Sequence, residues 1–264
     1  MLYVWPFLCN KNRGGVFLRK GVSTSIIRSN PHLLTTLPDA DLYELGFFKQ
    51  EDLGTILSFF KNKKFGVHAP FIYRYVYHPA PTSLNIKERS DTFSINRKCA
   101  ELSKKIGAEY MVVHFPNAFQ KESWLPIYRE VESEFCNLST LIPIRIENIY
   151  GNDHFHEAKD YKFFLENTNS TMCVDIGHLL IDSELYGFSP VNFVELLSDK
   201  ISEFHIYYAD LETYKMCHHA PWGNSKRFRE ILNFIKDMNV DFVIEPTTEC
   251  KNGLERLLKY WREL

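Results

Sequence analysis

The chain has 264 residues, 45% of them hydrophobic, 24% charged and 15% aromatic. These proportions describe an ordinary globular protein and exclude a disordered, collagen-like or coiled-coil chain. Lys and Arg total 31 against 33 Asp and Glu, a net charge of −2, so no global field draws the molecule to nucleic acid or to anionic membranes.

No run reaches the roughly 18 consecutive apolar residues of a membrane helix. The opening MLYVWPFLCN is apolar but lacks a basic n-region, so no signal peptide is expected. Six cysteines, Cys9, Cys99, Cys136, Cys173, Cys217 and Cys250, are scattered without a CxxC pair. That usage predicts reduced thiols and a cytoplasmic protein. No membrane partner and no obligate protein partner are expected.

In chain order, short apolar runs predict strands at 16–23, 41–46, 64–69, 110–115, 142–148, 172–176, 201–207 and 241–245. Longer amphipathic segments lie between them. Residues 50–62 put Leu53, Ile56, Leu57 and Phe60 on one helical face, and 89–106 do the same with Phe93, Ala100 and Ile106. Segments 191–200, 225–238 and 252–264 repeat the pattern. Eight strands alternating with helices, with no low-complexity linker, predict an α/β fold: one closed (β/α)8 barrel domain over 1–264. An open dinucleotide-binding sheet loses its main support, because Ser23-Thr24-Ser25 stands where a GxGxxG turn would follow the first strand.

The chemistry is in the strand ends. Strand three runs into His68 (VHAPF), strand four into His114 (VVHFP) and strand five into Glu147 (RIEN). Strand six ends in Asp175 and His178 (VDIGH), strand seven in His205 (FHIYYAD) and strand eight in Glu245 (FVIEP). A barrel brings all these ends to one face, where its active sites are built. Each residue alone has an ordinary structural reading: a hydrogen-bonded ring, a salt-bridge partner, or a helix N-cap at Asp175. Six successive strands ending in imidazole or carboxylate point instead to a divalent-metal site, since burying so many ionisable groups is costly without a compensating cation.

These motifs, in this order, resemble the xylose isomerase-like TIM-barrel superfamily, which holds sugar isomerases and epimerases and also the endonuclease IV type of apurinic/apyrimidinic endonuclease. The resemblance runs from Gly21 to Glu245. For the isomerases and epimerases it implies one divalent ion on Glu147, Asp175, His205 and Glu245, the two glutamates also moving a proton between sugar carbons. The endonuclease IV type adds histidines matched by His68, His114, His178 and, in MCHHAPWG, His218. Met216 stands where that loop carries a metal-binding Asp, so a third ion would be weakly held and two are expected, zinc before manganese. Phe71, Tyr73 and Arg74 follow His68 where such enzymes place residues that reach into DNA, although Phe71 equally suits a cover over the barrel mouth. Trp222 is placed to line a substrate pocket or to pack.

The extra histidines tip the expectation to an endonuclease IV-like hydrolase, with metal-bound hydroxide attacking a phosphodiester of abasic DNA or a related substrate. The alternatives are a one-metal sugar or sugar-phosphate isomerase or epimerase, and an amidohydrolase of the cobinamide kind. The partner is then a nucleic-acid or small-molecule substrate. Glu44, in LYELGF, faces the barrel mouth or its interior, and His154 and His156 sit in a surface loop.

Overall fold

In the computed structural model, which describes residues 18–247 and 253–264, eight parallel strands close on themselves. They are β1 (Lys20–Ser23), β2 (Leu42–Leu45), β3 (Phe65–His68), β4 (Met111–Phe115), β5 (Ile144–Asn148), β6 (Thr171–Asp175), β7 (Ile201–Ile206) and β8 (Asp241–Ile244). Each pairs with its sequence neighbour, and β8 returns to β1 through Gly21↔Val243. The predicted α/β barrel is therefore present. The apolar run at 1–10, the first two residues of the predicted first strand, Cys9 and Cys250 lie outside the described residues.

Both faces of every strand are covered. Outward side chains such as Val67, Val113, Ile146, Val174, Phe204 and Ile244 join the large core beneath the helices, whereas Leu42, Tyr110, Val112, Cys173 and Val243 fill the barrel interior. Gly66 makes room for this filling, since a Cβ there would stand 2.2 Å from the Tyr110 ring.

The helices are α1 (Leu53–Phe60), α2 (Ile86–Ile106), α3 (Tyr128–Leu141), α4 (Ala158–Thr168), α5 (Ile176–Tyr186), α6 (Pro190–Leu197), a short α7 (Thr213–Met216), α8 (Lys226–Ile235) and α9 (Leu254–Glu263). Local chemistry sets their ends. Asn85 caps α2, accepting from the Lys87 backbone N–H at 3.0 Å, so α2 begins three residues before the predicted 89. Gly107, in the left-handed region, stops it. Helices α3, α4 and α5 were not predicted. In α5 every residue from Ile176 to Ser183 is buried, which leaves no polar stripe to reveal a helical period.

One expectation about cysteine is corrected. Cys99, Cys136 and Cys173 are free, but Cys217 is disulfide-bonded. No helix among the described residues is long and apolar enough to cross a membrane.

Candidate metal centre

Parallel register brings the strand ends together. His114 on β4 pairs with Glu147 on β5, and Asp175 on β6 with His205 on β7. Paired residues on parallel strands point to the same face, here the barrel axis. Ligand atoms of His68, His114 and Glu147 lie within 4.8 Å of one another, and so do those of Asp175, His205 and Glu245 and those of Glu147, Asp175 and His178.

Glu147 is the hub. Its Oε2 accepts from His68 Nε2 at 2.7 Å and lies 3.3 Å from His114 Nε2, while Oε1 is 3.6 Å from His178 Nδ1 and 3.7 Å from His205 Nδ1. Burial alone would raise its pKa, but His114, His68 and His205 together pull it well below the usual carboxylate range. His68 Nδ1 donates to the Ala69 carbonyl at 2.9 Å, so both ring nitrogens act as donors. Burial opposes a charge on this ring, and Glu147 outweighs it, lifting the pKa to about 10.

Beside Glu147 the balance reverses. Asp175 caps α5, its Oδ1 accepting from the His178 backbone N–H at 2.7 Å. Burial, reinforced by the charge of Glu147, pushes its pKa well above the normal Asp value. Its Oδ2 is buried without a hydrogen-bond partner, and so is His205 Nδ1, 4.0 Å away. That nitrogen is 3.2 Å from Glu245 Oε2, outside hydrogen-bonding geometry. Glu245 accepts from Ser23 Oγ at 3.2 Å. Burial works against its charge, and His205 prevails, holding it at about 2. Buried polar atoms are rarely left unpaired, and these two orphans face the same carboxylates. Oxygens of Glu147, Asp175 and Glu245 and a nitrogen of His205 fit a divalent cation.

His178 is on α5, where Gly177 lets the Tyr207 ring lie against the helix. His178 Nδ1 donates to the Asn148 carbonyl at 2.9 Å, and burial keeps the ring neutral, with a pKa lowered to about 3. Its Nε2 is left as an acceptor. Asp175 is an N-cap through Oδ1, and its Oδ2 remains free to serve as a ligand atom.

Above these groups a cavity of about 1040 Å³ opens at the C-terminal end of the barrel, lined among others by His68, His114, Asn117, Tyr150, His178 and Glu245. His218 reaches its wall and packs on Tyr214, with ring centroids 4.3 Å apart, but belongs to none of the ligand groups. Met216 is 82% exposed. The neighbouring His219, which the sequence reading passed over, stacks on Tyr207 at 3.9 Å and donates from Nδ1 to the Glu245 carbonyl at 2.9 Å. The signal that singles it out is structural. Tyr208 and Ala220 form a two-way backbone bridge, which holds His219, next to Ala220, beside Tyr207.

The other expected substrate contacts do not reach the cavity. Phe71 is fully buried and packs edge-on against Phe48, so no aromatic wedge is available there. Tyr73 packs half-buried on the core, and Arg74 lies over the Phe47 ring at 5.2 Å. Trp222 sits in the outer layer between Phe228 and Arg256. His154 and His156 are satisfied by the carbonyls of Lys121 and Asn152.

No protein-family model matches the chain, and no curated protein matches it. Solved structures do. A D-tagatose 3-epimerase-like protein superposes with a TM-score of 0.66 at 20% identity, over 93% of this chain and 99% of that one. A 3-keto-D-glucoside 4-epimerase from E. coli gives 0.68 at 11% identity, over 94% and 100%. A D-psicose 3-epimerase from Clostridium cellulolyticum, solved with D-tagatose, gives 0.67 at 10%, over 93% and 99%. These findings correct the expectation of an endonuclease IV-like hydrolase: these three barrels, each superposing over more than nine-tenths of the chain, are sugar epimerases or epimerase-like. The burial of Phe71 and the place of His218 outside the ligand groups agree with that correction. At such identities the likeness establishes architecture: the chain has the closed (β/α)8 barrel fold that these structures share.

Proposed function

We propose that the protein is a divalent-metal-dependent sugar epimerase or isomerase acting beside the carbonyl of a ketose-type substrate. The observation that carries this reading is the convergence of Glu147, Asp175, His205 and Glu245 with two buried orphan atoms, Asp175 Oδ2 and His205 Nδ1, between them. Three carboxylates against one imidazole favour a hard ion such as manganese. A cation on these residues would polarise the substrate carbonyl and acidify the neighbouring C–H.

Glu147 and Glu245 are the proton-transfer pair. They come from β5 and from the end of β8, and their oxygens lie 3.7 and 3.2 Å from His205 Nδ1. One removes the proton from the substrate carbon and the other returns it, the requirement for inverting a centre next to a carbonyl. His178 Nε2 accepts from a substrate hydroxyl. The cavity, about 1040 Å³, is at the upper end of the roughly 300–1,000 Å³ of small-molecule sites, and its partner on this reading is a carbohydrate.

The test is solvent exchange. Manganese-loaded protein incubated in D2O with D-fructose, D-tagatose and D-psicose is expected to place deuterium on the carbon next to the carbonyl, read by NMR. Loaded protein that exchanges no proton in any of a panel of ketoses and their phosphates overturns the proposal.

A further inference from the structure

Below Asp175, His205 and Glu245 the barrel interior carries further charged side chains, and Glu44 and Glu203 among them lie behind His205. Glu203, fully buried on β7, accepts from Tyr110 Oη at 2.9 Å and pairs with Arg145 Nη1 at 2.9 Å. Arg145 pairs in turn with Asp241 at 2.7 Å and lies over the Tyr110 ring. Glu44 on β2 pairs with no Lys or Arg among the described residues and faces imidazoles instead. It is fully buried, and its Oε1 and Oε2 lie 3.1 and 3.3 Å from His205 Nε2, the donor that it faces.

A buried carboxylate needs a donor. A proton on His205 Nδ1 would leave the Nε2 lone pair against two carboxylate oxygens, which is repulsive. A proton on Nε2 satisfies Glu44, whereas Nδ1 makes no hydrogen bond and is the nitrogen that a cation between Glu245, Glu147 and Asp175, at 3.2, 3.7 and 4.0 Å, would meet. We infer that Glu44 is a positioning residue that holds a proton on His205 Nε2 and so keeps Nδ1 as the nitrogen aimed at the cation site. The inference builds on the metal reading above, yet its first consequence concerns the protein without metal. Carboxylates placed behind a ligating imidazole act in this way generally, and their loss weakens metal about 10- to 100-fold.

Two measurements test it. Long-range 1H–15N NMR of metal-free wild-type protein, with His205 assigned by its disappearance in His205→Gln, is expected to show a proton on Nε2; a ring that carries its proton on Nδ1 alone, or an equal mixture of the two tautomers, overturns the inference. Manganese affinity, measured by calorimetry, is expected to fall about 10- to 100-fold in the near-isosteric Glu44→Gln variant, its fold checked by circular dichroism. A smaller loss in folded variant overturns it. If the variant does not fold, the wild-type tautomer decides alone. Wild-type protein that binds no manganese sinks the proposed function, while the metal-free tautomer still judges Glu44 separately.

Discussion

His114 and Glu147 are direct cross-strand partners in the β4–β5 register, and Nε2 of one lies 3.3 Å from Oε2 of the other. The same oxygen accepts from His68, so one buried carboxylate holds two imidazoles. Glu147→Gln removes the charge that lifts His68 to about 10. In metal-free protein the His68 ring is then expected to titrate several units lower by NMR. The sign for stability follows. A histidine with a folded pKa raised above 6.5 contributes stability in full below 6.5 and loses it as pH rises through about 10. Metal-free wild type should therefore lose stability between those values in denaturant titrations. The Gln variant should lack that slope, and an equal slope in both proteins would refute the pairing.

Asp175 sets the site against the stability of the empty protein. Its pKa stands well above the usual value, and Oδ2 is unpaired beside His205 Nδ1. Asp175→Asn keeps Oδ1 to cap α5 and gives His205 Nδ1 a neutral N–H neighbour. The metal-free variant is expected to be more stable than wild type at neutral pH by about 1–3 kcal/mol, the usual cost of a buried unsatisfied group. Manganese at 100 times its dissociation constant should stabilise wild type by about 2.7 kcal/mol and the variant hardly at all. Thermal melts with and without metal check both halves.

The barrel and the convergence of the six strand ends were legible because both depend on period and order, which survive without any partner in view. Asp175, His205 and Glu245 gather as the order of their strands requires. Features set by loops were not legible. His218 and His219 are adjacent in sequence, and only the folded loop, with its Tyr208–Ala220 bridge and the Thr247 N–H bond to the His219 carbonyl, shows which of them meets Glu245. Phe71 follows His68 closely, but its backbone turns at φ 56°, and the ring goes into the core. The substrate class was not legible either, because a histidine at 68, 114 or 178 suits a metal ligand and a hydrogen-bond donor equally by type; the structure shows His68 Nε2 meeting Glu147 and His178 Nδ1 meeting the Asn148 carbonyl, which leaves His178 Nε2 open.

Asp182, on the buried side of α5, gives a pH dependence away from the ligand group. Its Oδ1 accepts the Gly151 N–H at 2.7 Å, and burial lifts its pKa from 3.8 to about 7. An acid whose folded pKa is raised destabilises the fold once the unfolded chain ionises. The loss begins above about 4 and is complete above about 7. Asp182→Asn keeps an acceptor for Gly151 without that loss. The variant should match wild type near pH 4 and exceed it by a few kcal/mol, on the order of 1.4 per pKa unit, at pH 8. A stability difference independent of pH would show that Asp182 does not titrate in this range.

Gly66 ties the barrel floor to the site. Tyr110 enters the interior over Gly66, where a Cβ would meet its ring at 2.2 Å. The ring cannot retreat freely, because its hydroxyl donates to Glu203 and its face lies 3.5 Å from the Arg145 guanidinium. Gly66→Ala must therefore shift strand β3 or pull Tyr110 off Glu203, and overpacking of this kind costs about 1–3 kcal/mol. Glu203 is 4.0 Å from His205 Nε2, so displaced floor residues should also disturb the ligand that they support. The double variant Gly66→Ala, Tyr110→Leu relieves the clash and should recover most of the stability lost by Gly66→Ala. Denaturant unfolding of the two variants, with the Tyr110→Leu single variant as reference, measures that recovery, and an additive pair of losses would show that Gly66 is required for backbone reasons rather than for the ring above it.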